Sequence, residues 1–149
     1  MADIIKVEHL SYVYNPGMPN AGDDSCKTSL RIALSMGAAK AYLVSDPALE
    51  DSDSFAVSYT LAKAIQHIGQ FDVILCGKQA IDDDAGQVGA GIAEQLGISQ
   101  VSYVNEITEV GDGVMSVKRV TPTGEEVVQA QLPVLLTCEK SLNEPRYPP

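Results

Sequence analysis

The stretch of this chain that most constrains its fold is residues 71–96, in which an apolar run, a polar loop and an amphipathic segment follow one another. The run from Val73 to Cys76 is too short for a helix, and its unbroken apolar character is typical of a parallel strand covered on both faces. Beyond Gly77 and the loop, apolar side chains return at every fourth position, as on one face of a helix: Val88, Ile92 and Leu96. The stretch predicts a strand, a loop and a helix, and ligands commonly bind where such strands end.

Upstream of this stretch, the sequence predicts helices that alternate with strands. The predicted elements are a strand over residues 4–10, a loop over 15–24, a helix over 25–36, a buried strand over 41–45, an acidic loop over 46–53 and a helix over 54–68. Ser25 and Ser54 are the expected N-caps, and Gly37 and Gly69 the expected stops. The expected apolar faces are Leu30, Ala33 and Leu34 on the first helix, and Val57, Leu61, Ala64, Ile65 and Ile68 on the second.

Past Gly97 the pattern changes from helical spacing to alternation. Residues 101–110, 114–120 and 126–132 alternate between polar and apolar side chains and are separated by turn residues, which predicts an antiparallel meander. Residues 134–137 read as one more buried strand, which we expect to return to the main sheet. The tail over residues 143–149 is rich in proline and is expected to be extended. The fold class predicted from these patterns is α/β, a parallel sheet with an added antiparallel β meander.

Composition excludes several classes of function. The formal net charge of −10 disfavours contact with nucleic acid and with anionic membrane surfaces. The three cysteines, Cys26, Cys76 and Cys138, form no C-x-x-C pair, so we expect free thiols rather than a disulfide framework or a zinc site. No apolar segment reaches the ~18 residues of a membrane span, and the first residues lack a basic signal-peptide start. The expected compartment is the cytoplasm.

The loop after Gly77 has the features of an anion site. Free N–H groups and the positive dipole end of the predicted helix over residues 85–96 favour a bound phosphate, and Lys78 could offset its charge. Three glycines in the first turns, Gly86, Gly89 and Gly91, each cost a helix about 1 kcal/mol and need a compensating reason. Two reasons remain open: the glycines admit a pyrophosphate, or they allow tight packing of the helix on the sheet.

The three consecutive aspartates Asp82, Asp83 and Asp84 also have two readings. Hard cations bind carboxylate oxygens, so a metal site is one alternative. The other is that carboxylates at a helix start cap its N–H groups and favour the dipole. A capping aspartate would compete with a phosphate for those N–H groups, and the sequence does not decide which of the two occupies them.

Catalytic groups are not apparent in the sequence. His67 lies near a predicted helix end, His9 is isolated in a predicted strand, and neither has a partner for a dyad. No serine stands in a G-x-S-x-G pattern, and no cysteine has a recognisable base. The residues therefore predict a nucleotide-sized anion site without bond-making chemistry.

Two groups of residues carry a family resemblance. The first is Cys76-Gly77-Lys78-Gln79-Ala80-Ile81-Asp82-Asp83-Asp84, followed by Gln87-Val88-Gly89 and Ala93-Glu94-Gln95-Leu96-Gly97. The second is Leu142-Asn143-Glu144-Pro145-Arg146-Tyr147 near the chain end. Over residues 26–147 the sequence resembles the beta subunit of electron-transfer flavoprotein.

This resemblance implies a Rossmann-like, adenine nucleotide-binding domain of the HUP type over residues 25–149. It implies pairing with an alpha subunit that carries FAD, and electron transfer between flavoenzymes such as acyl-CoA dehydrogenases and a further acceptor. In the family, the matching loop holds AMP in some members and a second FAD in electron-bifurcating ones. The sequence of residues 87–89 and 93–98 is closer to that of the bifurcating group, so FAD is the expected cofactor and AMP is the alternative. The implied cofactor-binding residues are Gly77, Lys78, Gln79, Ala80, Ile81, Asp82, Asp83, Asp84, Gly86, Gln87 and Val88.

The N-terminal part departs from this family. Residues 4–17 resemble the first strand of an ABC transporter ATPase, with Tyr14 as its adenine-stacking aromatic, although no phosphate loop follows and ATPase activity is not expected. We expect residues 1–24 to be an atypical strand and loop. The alternative to a nucleotide-binding subunit is a truncated or chimaeric Rossmann-like scaffold with weak or no nucleotide binding. The resemblance ends at Tyr147, ahead of the segments with which the family docks its dehydrogenase and embraces the alpha subunit.

Overall fold

The structure is a computed structural model, which describes residues 11–14, 24–49, 51–79, 84–144 and 147. Its strands are β1 (Ser11–Tyr14), β2 (Lys40–Leu43), β3 (Val73–Gly77), β4 (Ser99–Gly111), β5 (Val114–Thr121), β6 (Gly124–Gln131) and β7 (Val134–Cys138). Its helices are α1 (Asp24–Ser35), α2 (Ser54–Ile68) and α3 (Val88–Leu96), with 3₁₀ turns at Pro47–Leu49 and Lys140–Leu142. The predicted strand over residues 4–10 and all but the last residue of the predicted loop over 15–24 lie outside the described residues.

The main sheet has five strands in the order β3-β7-β4-β5-β6. The strands β3, β7 and β4 are parallel, whereas β4, β5 and β6 form antiparallel hairpins. This arrangement confirms the predicted parallel sheet with an added meander, and it confirms that the last strand returns to the main sheet. The strand β7 enters between β3 and β4, so the last strand in sequence is the central strand of the parallel part.

Strand β7 joins two hydrophobic cores because its side chains alternate between the two faces of the sheet. Leu135 is fully buried beneath α2 and α3, in a cluster with Val57, Leu61, Ala62, Ile92 and Ala93. Leu136 is fully buried on the other face, in a cluster with Val101, Val104, Met115, Val117, Ala130 and Val134. Both faces of β7 are therefore covered, as its apolar run predicted. The same prediction for the run from Val73 to Cys76 was wrong: no residue of β3 is fully buried and Leu75 is 48% exposed, because β3 has a strand on only one side among the described elements.

The helix ends confirm the predicted glycine stops and correct one predicted cap. Gly69 and Gly97 close α2 and α3 with positive φ angles of 118° and 66°. At the start of α2, however, Asp53 is the N-cap: its side chain accepts a hydrogen bond of 2.8 Å from the Ala56 N–H. Ser54 is the first helical residue, so its predicted role as the cap was wrong. The helix α1 begins at Asp24, one residue before the predicted cap Ser25.

The predicted buried strand over residues 41–45 is also corrected. Strand β2 pairs in parallel with β1, in register from Ser11↔Lys40 to Tyr14↔Leu43, and this pair is separate from the five-stranded sheet. Its side chains are partly or fully exposed, and its main contacts among the described elements are with β1 and α1. On α1, Leu30 is buried but Leu34 is 43% exposed, so the predicted apolar face is only partly covered. Among the described residues, β3 is thus an edge strand.

Two glycines of α3 allow close packing, which favours one of the two explanations left open by the sequence. A Cβ at Gly89 would stand 2.8 Å from Thr137 Cγ2 on β7, and a Cβ at Gly91 would stand 2.7 Å from Ser58 Cβ on α2. Neither distance is compatible with a side chain. Gly89 therefore brings α3 onto the sheet, and Gly91 brings it onto α2.

The cysteines described with their side chains, Cys76 and Cys138, are free thiols, and both are partly buried. The pKa of the Cys76 thiol is raised from 9.0 to about 11, mainly by burial and to a smaller extent by the neighbouring Cys138. Burial also raises the pKa of Cys138. In the described part of the chain, no helix has the length and apolar character needed to cross a membrane.

We expect Gly91→Ala to lower the free energy of unfolding by about 1–3 kcal/mol, the usual cost of an overpacked side chain. The loss should appear even though alanine favours a helix over glycine by about 1 kcal/mol. The control is Gly111→Ala, whose Cβ meets nothing within 4 Å. Adding Ser58→Gly to Gly91→Ala should restore part of the loss in urea titrations, and a double variant with purely additive losses would contradict the packing role.

The raised pKa of Cys76 predicts a loss of stability at alkaline pH. A thiol that ionises less readily in the folded state stabilises that state below pH 9.0, and this contribution is lost as the pH rises toward about 11. The free energy of unfolding should therefore fall over this window in urea titrations. Cys76→Ala should show a shallower decline, whereas identical pH profiles for both proteins would refute the assignment.

Candidate functional site

The candidate site lies where the parallel strands β3 and β7 end side by side. Gly77 pairs with Cys138, so the residues that follow them, Lys78 and Glu139, leave the sheet at the same edge. The carboxyl edge of a parallel sheet is the usual place for a ligand. Neighbouring β4 passes the same edge and holds the end of β7, because the Glu139 N–H donates a hydrogen bond of 2.8 Å to the Val104 carbonyl.

An ion pair and a tyrosine ring connect these three strands at the carboxyl edge. Lys78 Nζ lies 3.0 Å from Glu139 Oε1, and the two side chains are 33% and 19% exposed. The same ammonium lies 5.8 Å from the centroid of the Tyr103 ring on β4. The charge of Lys78 is therefore matched by Glu139, which changes the expectation that this ammonium is available to a phosphate. Its clearest function in the structure is to fix the start of the loop to β7 and β4.

The two ends of the predicted nucleotide loop fold back on each other. The Gln79 side-chain amide donates a hydrogen bond to the Asp84 carboxylate. Gly86 has a φ of 61°, and a Cβ there would stand 3.5 Å from the Lys78 carbonyl oxygen. Asp84 also has a positive φ, of 53°. These left-handed residues let the exit of the loop turn back beside its entrance, as glycine in particular permits.

Five of the predicted site residues lie where the loop leaves the sheet and where it returns, and we call this part the neck of the loop. They are Gly77, Lys78, Gln79, Asp84 and Gly86. Ala80, Ile81, Asp82 and Asp83 lie outside the described residues, so their roles stay predictions. Gln87 and Val88 follow directly at the start of α3.

Helix α3 begins at Val88, three residues later than predicted from sequence. The left-handed Gly86 cannot belong to a right-handed helix, which is the physical reason for the later start. Gln87 occupies the N-cap position without a side-chain capping hydrogen bond, and no acidic residue lies in the first turn. Asp84 instead accepts its hydrogen bond from Gln79, so it does not compete as the cap of this helix. The N–H groups of the first turn favour an anion.

Metal binding has no support within the described part of the chain, where no three His, Cys, Asp or Glu side chains converge. Since Asp82 and Asp83 lie outside that part, the metal alternative for the three aspartates stays a hypothesis. His67 is exposed in the last turn of α2, the position expected from sequence. His9 lies outside the described residues.

Three residues of the site were missed by sequence reasoning: Tyr103, Thr137 and Glu139. Each lies at the carboxyl edge because β7 inserts between β3 and β4, and that neighbourhood is a long-range pairing. The apolar run over residues 134–137 predicted a returning strand. Placing that strand beside β3 would have identified Glu139 as a partner for Lys78.

Comparison with known proteins assigns the family. The electron transfer flavoprotein domain matches residues 20–149. The chain is 50% identical over 133 residues to an electron transfer flavoprotein subunit beta of Megasphaera elsdenii, covering 85% of this chain and 49% of that protein. It is 46% identical to the subunit beta of Thermoanaerobacterium thermosaccharolyticum, covering 85% of this chain and 48% of the relative.

A third relative is the caffeyl-CoA reductase-Etf complex subunit CarD of Acetobacterium woodii, 44% identical over 89% of this chain and 52% of its own length. The chain thus spans about half the length of the curated relatives that it matches. The domain match covers most of the chain, includes the whole carboxyl-edge site and agrees with the resemblance seen in the sequence. This chain belongs to the electron transfer flavoprotein family.

Proposed function

We propose that this chain is an electron-transfer flavoprotein beta-type subunit, or part of one, that binds an adenine nucleotide at the loop over residues 77–88. The observation that carries the proposal is the neck of that loop, which is anchored at the carboxyl edge of a parallel sheet in a chain of this family. The anchored residues lie directly before the first turn of α3, where an anionic phosphate is favoured.

The groups at this edge fit a nucleotide by their chemistry. The first turn of α3 supplies N–H donors that the side chain of its N-cap residue, Gln87, does not cap, and the left-handed Gly86 keeps the loop exit free of a Cβ. FAD is the proposed cofactor and AMP the alternative. When FAD is bound, its isoalloxazine ring supplies the electron-transfer chemistry, and the residues of this chain bind and orient the nucleotide.

The chain is proposed to act as an electron carrier subunit without catalytic residues of its own. One relative is named a subunit of a caffeyl-CoA reductase-Etf complex, and another an acryloyl-CoA reductase electron transfer subunit gamma. These names support a role inside a larger redox assembly. The proposed partners are an alpha subunit and a flavoenzyme such as an acyl-CoA dehydrogenase, in the cytoplasm.

A second candidate is a truncated or chimaeric scaffold that binds nucleotides weakly or not at all. The observation in its favour is the separation of the β1–β2 pair from the main sheet, which leaves β3 as an edge strand among the described elements. Under this alternative, the site is open on the side of β3 that has no neighbouring strand, next to Gly77, and the loop lacks the neighbouring residues that would hold a ligand.

Calorimetric titration with FAD and with AMP decides between these functions. We expect the intact chain to bind at least one of them with a micromolar or lower Kd, and nucleotide co-purified with it should be released on denaturation. Absence of heat with both ligands would overturn the proposal and favour the scaffold.

A matched pair of glycine variants locates the binding. Gly86 and Gly97 have similar φ angles of 61° and 66°, so Gly86→Ala and Gly97→Ala impose a similar left-handed backbone cost of about 1–2 kcal/mol. Both should lower stability, but only Gly86→Ala should weaken nucleotide binding, because Gly97 lies at the far end of α3. Equal binding losses would place the ligand elsewhere.

A further inference from the structure

Tyr103 has a backbone conformation that tyrosine rarely adopts. Strand β4 pairs with β7 at Val101↔Leu136 and again at Val104↔Cys138, so β4 contains one residue more than β7 between these pairs. Such an extra residue is a β-bulge, and bulges are used to re-aim side chains next to binding sites. Within it, Tyr103 has a φ of 61°. A bulky residue in this left-handed region is a genuine outlier.

The surrounding residues impose this conformation. Val101 and Val104 on either side are buried, with 4% and 0% exposure. The Tyr103 N–H donates a hydrogen bond of 3.1 Å to Thr137 Oγ1, a side chain that is itself only 4% exposed. The bulge is thus built into the centre of the sheet, and it sets the direction in which the Tyr103 side chain leaves the backbone.

Core packing does not account for a tyrosine at this position. The residue is 44% exposed, so its ring is not buried by the unusual backbone. Asparagine or glycine would adopt the same φ with less strain. The ring does reach the candidate site, since its centroid lies 5.8 Å from Lys78 Nζ, and Lys78 begins the loop. Strained residues with exposed side chains at a ligand edge are typical of binding function.

We propose that Tyr103 is a ligand-contacting residue that stacks against the planar heteroaromatic ring of the nucleotide held by the loop. This inference rests on the proposed function and adds the residue that recognises the base rather than the phosphate. The ring has the required chemistry: it is flat, half-exposed and fixed at its backbone. Lys78 lies beside it, paired to Glu139, which orients the ring without adding net charge to the cluster.

The test compares Tyr103→Gly, Tyr103→Asn and Tyr103→Phe with the unchanged chain. Phenylalanine keeps the stacking surface and should bind AMP within about two-fold of the unchanged chain. Glycine and asparagine tolerate the left-handed backbone but remove the ring, so they should bind AMP about 5- to 100-fold more weakly, as when a stacked aromatic is removed. Their urea midpoints should be unchanged or higher, because the backbone strain is relieved.

Ribose 5-phosphate, which has the phosphate but no base, provides the second readout by competition against AMP. Its affinity should be the same for all four proteins. Equal losses for AMP and ribose 5-phosphate, unchanged AMP binding in Tyr103→Gly, or a lower urea midpoint in both Tyr103→Gly and Tyr103→Asn would each overturn the role of Tyr103. If the unchanged chain binds neither AMP nor FAD, the proposed function fails and the role of Tyr103 with it. If the unchanged chain binds and Tyr103→Gly binds equally, the role of Tyr103 alone fails.

Discussion

The parallel pairing of β3 with β7 is the interaction on which the rest of the structure depends. It sets β7 in the sheet with Leu135 and Leu136 on opposite faces, where Leu135 packs with the helices and Leu136 with the meander. It also fixes the site, because the register Gly77↔Cys138 sets Lys78 opposite Glu139 at the carboxyl edge. One backbone register therefore serves both stability and the geometry of the loop. Helix α3 packs closely on this sheet through Gly89 and on α2 through Gly91.

The electrostatics of the site follow from this geometry. The chain has a net charge of −10, which opposes an anionic ligand at long range. Lys78, the cation nearest the loop entrance by sequence, is engaged by Glu139 and lies beside Tyr103. Under the proposed function, phosphate recognition would come mainly from the N–H groups at the start of α3, and Lys78 would hold the loop in place. This division of roles is compatible with an electron carrier, whose protein part positions a cofactor rather than reacting with a substrate.

Local signals in the sequence predicted the elements well, and long-range pairing accounts for what was missed. Apolar periodicity identified β3, α2, α3 and the meander, and the glycine stops at Gly69 and Gly97 proved correct. The later start of α3 depends on the left-handed Gly86, which periodicity does not report. The pairing of Lys78 with Glu139, 61 positions apart, depends on the order of strands in the sheet and could not be read from either segment alone. The same holds for β2, whose apolar run predicted burial but whose partners in the structure are β1 and α1.

A double-mutant cycle on ligand affinity shows whether the Lys78–Glu139 pair positions the loop that is proposed to bind the nucleotide. Lys78→Met, Glu139→Gln and the double variant would be titrated with AMP and with adenosine, beside Lys118→Met and Glu106→Gln as an ion pair on the meander. If the pair positions the loop, each single variant weakens both ligands by similar factors, and the double variant is no weaker than the worse single one, a coupling of about 0.5–3 kcal/mol. The control pair leaves both affinities unchanged. If instead Lys78→Met weakens the binding of AMP alone and Glu139→Gln strengthens it, Lys78 contacts the phosphate, Glu139 competes with that phosphate, and the pair does not act by positioning the loop.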